Sequence, residues 1–233
     1  MVCVAFTAAL GGTLVGCAVG GSAGSGPAVE APVYRVGDRW VYSGEDGFRI
    51  KTSWEETHEV TGVGPDGITV RITKNGADID LVRTEQWAAP GLVRVGAVFA
   101  DETRQFATPL ARFAFPLSPG QTWNQWVDQF NEATQKQGQI NRYAHVAGRK
   151  QVTTAAGTFD ALELHVQMQL DDDEFWRWPT HCNYVVWYAP AVRNVVRESK
   201  AAQYVEKGEM QLQFAIRTQY GTLELVSFTP GAS

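Results

Sequence analysis

Gly157-Thr158-Phe159-Asp160-Ala161-Leu162-Glu163-Leu164-His165-Val166-Gln167-Met168-Gln169-Leu170 is the stretch whose reading decides the fold. From Leu162 onward apolar residues alternate strictly with polar ones, the period-two pattern of a strand with one buried face. The spacing predicts Leu162, Leu164, Val166, Met168 and Leu170 toward a core, and Glu163, His165, Gln167 and Gln169 toward water or a wet cavity. A slip of one residue would expose every apolar side chain at once, so the register is strongly specified. An acidic break, Asp171-Asp172-Asp173-Glu174, follows, and then two apolar runs, 184–188 and 192–196, flank Ala189-Pro190. Residues 157–198 therefore read as one long strand, a polar tip and a returning pair.

The same period recurs on both sides of this stretch. Val36-Gly37-Asp38-Arg39-Trp40-Val41-Tyr42 reads as turn then strand, and Phe48, Ile50, Thr52 and Trp54 share one face of the next. Ile68, Val70 and Ile72 alternate after the turn Pro65-Asp66-Gly67, a hairpin signal. Residues 92–99 form another apolar strand, and Pro109, Pro116 and Pro119 mark a loop-rich crossing. Near the end, Leu212, Phe214 and Ile216 alternate with Gln211, Gln213 and Arg217, and Gly221 interrupts before Leu223, Leu225 and Phe228. Residues 121–145 admit two readings. Trp123, Trp126, Val127 and Phe130 have helical spacing, whereas Trp126, Asp128 and Phe130 alternate as in a strand and Gly138 can turn a hairpin. Two strands are favoured because everything around them is extended. The fold class is all-β and mainly antiparallel, half-barrel or sandwich-like, with few or no long helices.

Three short segments recur in order. Gly37-Asp38-Arg39-Trp40 is echoed by Gly120-Gln121-Thr122-Trp123, Val60-Thr61-Gly62 by Val146-Ala147-Gly148, and Trp87-Ala88-Ala89-Pro90 by Trp187-Tyr188-Ala189-Pro190. The offset grows along the chain, as insertions at hairpin tips would make it. The expectation is two related halves, about 33–110 and 119–228, within a single β-rich domain spanning 33–233.

Composition narrows the function classes. The chain is 44% apolar and 11% aromatic, enough for a real core, and carries a net charge of −5. That balance disfavours nucleic acid, which needs a basic stripe against its phosphates, and electrostatic docking on anionic lipid. Cys3 and Cys17 lie in the first segment, which leaves the folded body one thiol, Cys182.

Residues 2–19 are apolar, small or hydroxylic, as in a secretory h-region. They close on Leu14-Val15-Gly16-Cys17, which resembles the bacterial lipobox. The resemblance implies a signal peptide over 1–16, acyl chains on Cys17, and a body in the periplasm anchored to a membrane. With Ala18 next, it implies the outer membrane. Residues 17–32, rich in Gly, Ser, Ala and Pro, read as the lipidated cysteine and a flexible tether.

Gly120-Gln121-Thr122-Trp123, then Ala156-Gly157-Thr158-Phe159-Asp160-Ala161, then Trp187-Tyr188-Ala189-Pro190 with a valine-rich strand resemble a group of exported bacterial lipoproteins of the TapB-like kind. This implies an envelope β-domain and carries over no functional residues.

Candidate chemistry is sparse. His181 and Cys182 are neighbours, so in a strand they point to opposite faces, and no histidine shows metal-ligand spacing. Asp171, Asp172, Asp173 and Glu174 offer calcium-type oxygens without a loop's alternate spacing, and read as a solvated tip. Trp176 and Trp178 would share a face, and Trp187 lies on the returning strand; together they can stack a sugar ring or hold an apolar ligand, or simply pack. No catalytic, cofactor or metal residue is assigned. The leading expectation is a lipid-anchored envelope protein whose β-domain binds or scaffolds a partner without catalysis. The second is a carrier or sensor of a small apolar or glycan ligand, and the third a hydrolase.

Overall fold

Leu162, Leu164, Val166, Met168 and Leu170 are all buried, while His165, Gln167 and Gln169 are exposed. They belong to β9 (Gly157–Gln169) and the residue that follows it in a computed structural model that describes residues 26–47, 51–208 and 214–232. The same alternation builds its neighbours β8 (Lys136–Thr154), β10 (His181–Ala189) and β11 (Asn194–Val205), with the short 3-10 turn Pro190–Val192 between the last two. Before them come β1 (Arg39–Asp46), β2 (Thr52–Gly64), β3 (Gly67–Gly76), β4 (Ile79–Ala89), β5 (Leu92–Ala97), β6 (Thr103–Ala111) and β7 (Thr122–Asn131), and after them β12 (Ala215–Thr229).

Each strand pairs antiparallel with the next, and β12 pairs back onto β1 from Arg39↔Thr229 to Asp46↔Gly221. The result is a closed barrel of twelve strands. This corrects the half-barrel or sandwich expectation. Alternation along a strand shows that one face is buried, but both architectures bury one face. The pairing of first strand with last decides between them, and it also removes the two free edges an open sheet would present.

The choice of two strands over a helix at residues 121–145 is met by β7 and β8. The turn between them is at residues 132–135, where Gln135 takes φ 55°, rather than at Gly138. Gly138 sits inside β8, and a Cβ there would lie 2.9 Å from Asp171 Oδ2. The glycine serves close approach rather than a turn.

Outward positions of the wall are largely polar, the reverse of a membrane-spanning barrel, whose outer band is apolar. The apolar core lies on the inner face of the wall. One end, where β1 begins, is plugged by aromatic rings. Tyr34 meets Trp40 and Trp87 edge-on at 5.9 and 5.4 Å, and Tyr188 meets Phe113 and Phe115 at 5.2 and 5.4 Å. Trp40 Nε1 donates to Val192 O at 2.7 Å, and Tyr34 Oη to Arg193 O at 3.1 Å, so these two rings bury their polar atoms with partners. Val29, within the stretch read as tether, is buried here and exchanges both backbone hydrogen bonds with Leu117 at 2.8 Å. Cys17 and residues 1–16 lie outside the described residues, as do Phe48, Ile50 and Leu212.

The three sequence echoes fall on β1 and β7, β2 and β8, and β4 and β10, in each case six strands apart. Gly37 N and Val60 N donate to Val60 O and Asp38 O; Gly120 N and Val146 N donate to Val146 O and Gln121 O in the same pattern, at 2.8–2.9 Å. Both glycines take positive φ, 90° and 83°, at the turn into the strand. β2 and β8 also share a bulge, between Val60 and Gly62 and between Val146 and Gly148.

Candidate functional site

Twelve strands enclose more space than the side chains of an eight-stranded barrel can just fill. Long charged residues at inward positions take up part of the excess. Glu56 and His58 come from β2, Arg83 and Glu85 from β4, Arg142 from β8, and Glu198 and Lys200 from β11; Arg112 enters from the β6–β7 connection. With Tyr42, Leu110, Val166, Met168, Tyr184 and Val186 they line a cavity of about 110 Å³. A second space of about 60 Å³ adjoins it and shares Glu56, Arg83, Ala97, Val98, Glu198 and Lys200. Phe99, Ala100 and Asp101 of the β5–β6 turn border this second space at the end opposite the aromatic plug. Together the two have room for several waters or a small organic ligand.

Each carboxylate of the lumen is engaged. Glu56 Oε1 lies 2.7 Å from His58 Nε2, and Glu56 Oε2 accepts from Trp54 Nε1 at 3.1 Å. Glu85 Oε2 accepts from Arg112 Nη2 at 3.0 Å and from Trp87 Nε1 at 2.8 Å, with Arg83 Nη2 at 3.7 Å from Oε1. Glu198 Oε1 pairs with Lys200 Nζ at 2.7 Å. Burial alone would raise Glu56 and Glu85, yet His58 holds the first, and Arg112 and Arg83 the second, below the usual carboxylate range.

Arg142 differs. It is 7% exposed, its Nη1 donates to Ala111 O at 2.8 Å and its Nη2 to Arg112 O at 3.1 Å. No carboxylate lies within ion-pair distance of it among the described residues. Burial first, and then Arg112, push its pKa down from the ordinary arginine range. The carbonyls it binds are at a seam. β6 and β7 pair only at Arg104↔Asn131, Gln105↔Phe130 and Phe106↔Gln129, beyond which Gln125 bridges them, accepting from Ala111 N at 2.8 Å and donating to Pro109 O at 3.0 Å.

The mouth beside Val98 is braced. Tyr184 Oη donates to Val98 O at 2.6 Å, and Asp101 accepts from Lys74 at 2.7 Å and Arg83 at 3.1 Å. Ala100 and Asp101 hold φ of 50° and 57°, a region that costs non-glycine residues free energy.

The sequence candidates are dispersed. Trp176 and Trp178 are exposed, 40% and 48%, on the β9–β10 connection near Phe175 and Phe214. They are not on a strand; Lys207 N donates to Trp176 O and Trp178 N to Val205 O, both at 2.8 Å. Trp187 lies toward the other end of β10, on the outer face, where its Nε1 donates to Glu163 Oε2 at 3.0 Å. A single platform of Trp176, Trp178 and Trp187 is therefore not formed, because the first two occupy a loop and the third the far end of a strand. The four acidic residues also diverge. Asp171 accepts from Gln139 N at 2.9 Å, Asp172 from Thr180 N at 2.7 Å, and Glu174 meets Lys136 at 3.1 Å. They brace the tip, and among the described residues no group of three acidic, His or Cys side chains could hold a metal. Cys182 is buried while its neighbour His181 is exposed, and burial pushes the thiol up to about 11.

Sequence reasoning passed over the lumen charges. Their signal is phase: Arg83 and Glu85 share the parity of Trp87, Glu56 that of Trp54 and Val60, and Arg142 that of Ile140 and Ala144. A charge in phase with buried positions points inward.

No family model and no curated protein matches the chain. Two crystal structures share its fold. One is of a "putative lipoprotein" from Parabacteroides distasonis, at 13% identity over 88% of this chain and all of that one, with a TM-score of 0.51. The other is of a "putative exported protein with YmcC-like fold" from Bacteroides fragilis, at 13% identity over 87% of this chain and all of that one, with a TM-score of 0.54. At this identity the likeness shows the fold alone.

Proposed function

We propose that this chain is a lipid-anchored protein of the bacterial cell envelope whose barrel holds a small ligand in its lumen, as a carrier or sensor, without catalysis. The observation that carries the ligand reading is the cavity, whose lining mixes apolar Leu110, Val166, Met168 and Val186 with cationic Arg83, Arg112, Arg142 and Lys200. Ligand sites are concave and mostly apolar with a few placed polar groups, and this lining has that mixture. Pairing of β1 with β12 also removes the two free edges that an open sheet would offer another chain.

The envelope address rests on Leu14-Val15-Gly16-Cys17 at the end of an apolar run, and the descriptions of the two structural neighbours as lipoprotein and exported protein agree with it. The resemblance to TapB-like lipoproteins belongs to the same reading. So does descent from a duplicated half, for which the matched hydrogen bonds around Val60 and Val146 speak.

A partner-binding role has one observation of its own. Phe175, Trp176, Trp178 and Phe214 form an exposed aromatic tip at the end of the barrel away from Val29.

The ligand reading is tested by titrating the purified body with small amphipathic compounds and following the lumen by NMR. Shifts confined to Val166, Met168 and Val186 methyls are expected. A lumen that responds to no compound, with responses only at Trp176 and Trp178, would leave the aromatic tip as the binding surface.

A further inference from the structure

We infer that Arg142 is the anchor for an oxyanion, the carboxylate or phosphate head of a small amphipathic ligand held in the lumen. The inference rests on the reading of the lumen as a ligand site and names the ligand's chemistry.

The argument is one of charge and donors. The cavity of about 110 Å³ is lined by the cations Arg83, Arg112, Arg142 and Lys200, by His58, and by the carboxylates Glu56, Glu85 and Glu198. The three carboxylates are already engaged, by His58, by Arg112 with Arg83, and by Lys200. Arg142 is left at 7% exposure with no carboxylate within ion-pair distance among the described residues; it has the two carbonyls and, 5.9 Å away, the Trp123 ring. A buried ion without a counter-charge is strongly disfavoured, and in most proteins such a group is paired. Two of the five N–H donors of its guanidinium go to Ala111 O and Arg112 O. Those carbonyls need donors, not a charge, and a glutamine could serve them. The charge is what calls for an anion. One buried donor in the same lumen, Arg83 Nε, has no acceptor. Guanidinium groups match carboxylate and phosphate geometry through paired N–H bonds. The apolar wall of Val166, Met168 and Val186 fits the rest of an amphipathic molecule.

The test compares hexanoate, hexyl phosphate and hexanol, which share an apolar tail and differ in the head. Calorimetric titration of the wild-type body should give binding of one or both anions about tenfold or more tighter than hexanol, the size expected of a charge-assisted hydrogen bond. Arg142→Gln keeps a carbonyl donor and removes the charge. It should abolish the preference for the anion over hexanol, and Arg142→Lys should restore part of the preference. The stronger of the two anions identifies carboxylate or phosphate. Equal binding of all three compounds to wild type, or an Arg142→Gln variant that keeps the preference, overturns the assignment to Arg142 and leaves the lumen site standing. Binding of none overturns both. Should Arg142→Gln not fold, the carboxyl carbon of labelled hexanoate bound to wild type supplies the answer. Its titration midpoint should fall below that of free hexanoate, and an unshifted midpoint overturns the inference.

Discussion

Trp87 and Trp187 stand at the same place on strands six apart, each two residues before the end of its strand, and they face opposite sides of the wall. Trp87 points into the barrel, is 6% exposed, and donates to Glu85 at 2.8 Å. Trp187 points outward and donates to Glu163 at 3.0 Å. The bulges differ: β4 shifts register on both sides of Trp87 against β5, whereas β10 shifts once, after Trp187, against β11. Phase decides the facing: Trp87 is two residues from buried Glu85, whereas Trp187 falls between buried Val186 and Tyr188. The inward ring at that level of β10 is Tyr188, buried at 1%.

The two indoles should therefore differ in cost. Trp87→Ala removes a core ring and one of the donors to the buried Glu85, and a loss of about 3–5 kcal/mol is expected. Trp187→Ala opens no core cavity and should cost about 1–2 kcal/mol, mostly its hydrogen bond. Urea unfolding of both variants checks the order.

Within β9 the same logic separates adjacent residues. Leu164 is fully buried, and Leu164→Ala should cost about 2–5 kcal/mol. His165 has a half-exposed side chain paired to Glu163 Oε1 at 2.8 Å, and His165→Ala should cost less than about 1 kcal/mol. Comparable losses in chemical denaturation would overturn the facing of this strand.

Stability should fall in acid through Glu56 and Glu85. Both carboxylates are held below their ordinary value in the fold. A depressed carboxylate stabilises the fold fully above its unfolded pKa, about 4.3 for Glu, and that contribution is lost as pH falls through the folded pKa. Unfolding free energy should thus hold near neutral pH and drop below about pH 4. Glu85→Gln should flatten the acid limb, while at pH 7 it costs about 3–5 kcal/mol by stranding Arg112. An acid limb unchanged in this variant would remove Glu85 from the account.

Cys182 should be inert. With its pKa pushed up to about 11 by burial, the thiolate is scarce at neutral pH. Iodoacetamide near pH 8 should leave the Cys182 peptide unlabelled in the folded protein and label it in urea, as peptide mapping would read. Rapid labelling without denaturant would show an accessible thiol.

Cys17→Ser should stop processing of residues 1–16 or release the protein from membranes, as the lipobox resemblance implies. Membrane fractionation and the mass of the mature N-terminus measure it. Unchanged fractionation with an unmodified cysteine would end the anchoring proposal.

The facing of residues 162–170 and the choice of two strands over a helix within residues 121–145 were legible in the sequence, because side-chain direction in a strand is local and repeats every two residues. The hairpin at Gly67 was legible for the same local reason: a turn there needs the φ of 118° that glycine takes without strain. Glu163 marks the limit of that locality. Its outward direction follows from alternation, yet it is 6% exposed because Lys150, His165 and Trp187 gather over it from three strands. Closure lies further out of reach. Whether β1 meets β12 depends on the twist and tilt accumulated over every strand between them, and no local period encodes that sum. The lumen follows from closure. Glu56, Glu85, Arg112, Arg142 and Lys200 become one site only when β2, β4, the β6–β7 connection, β8 and β11 are brought round a common axis. The sequence determined which way each side chain points; tertiary structure decided what each one meets, because the partners are supplied by hydrogen bonding between strands distant in the chain.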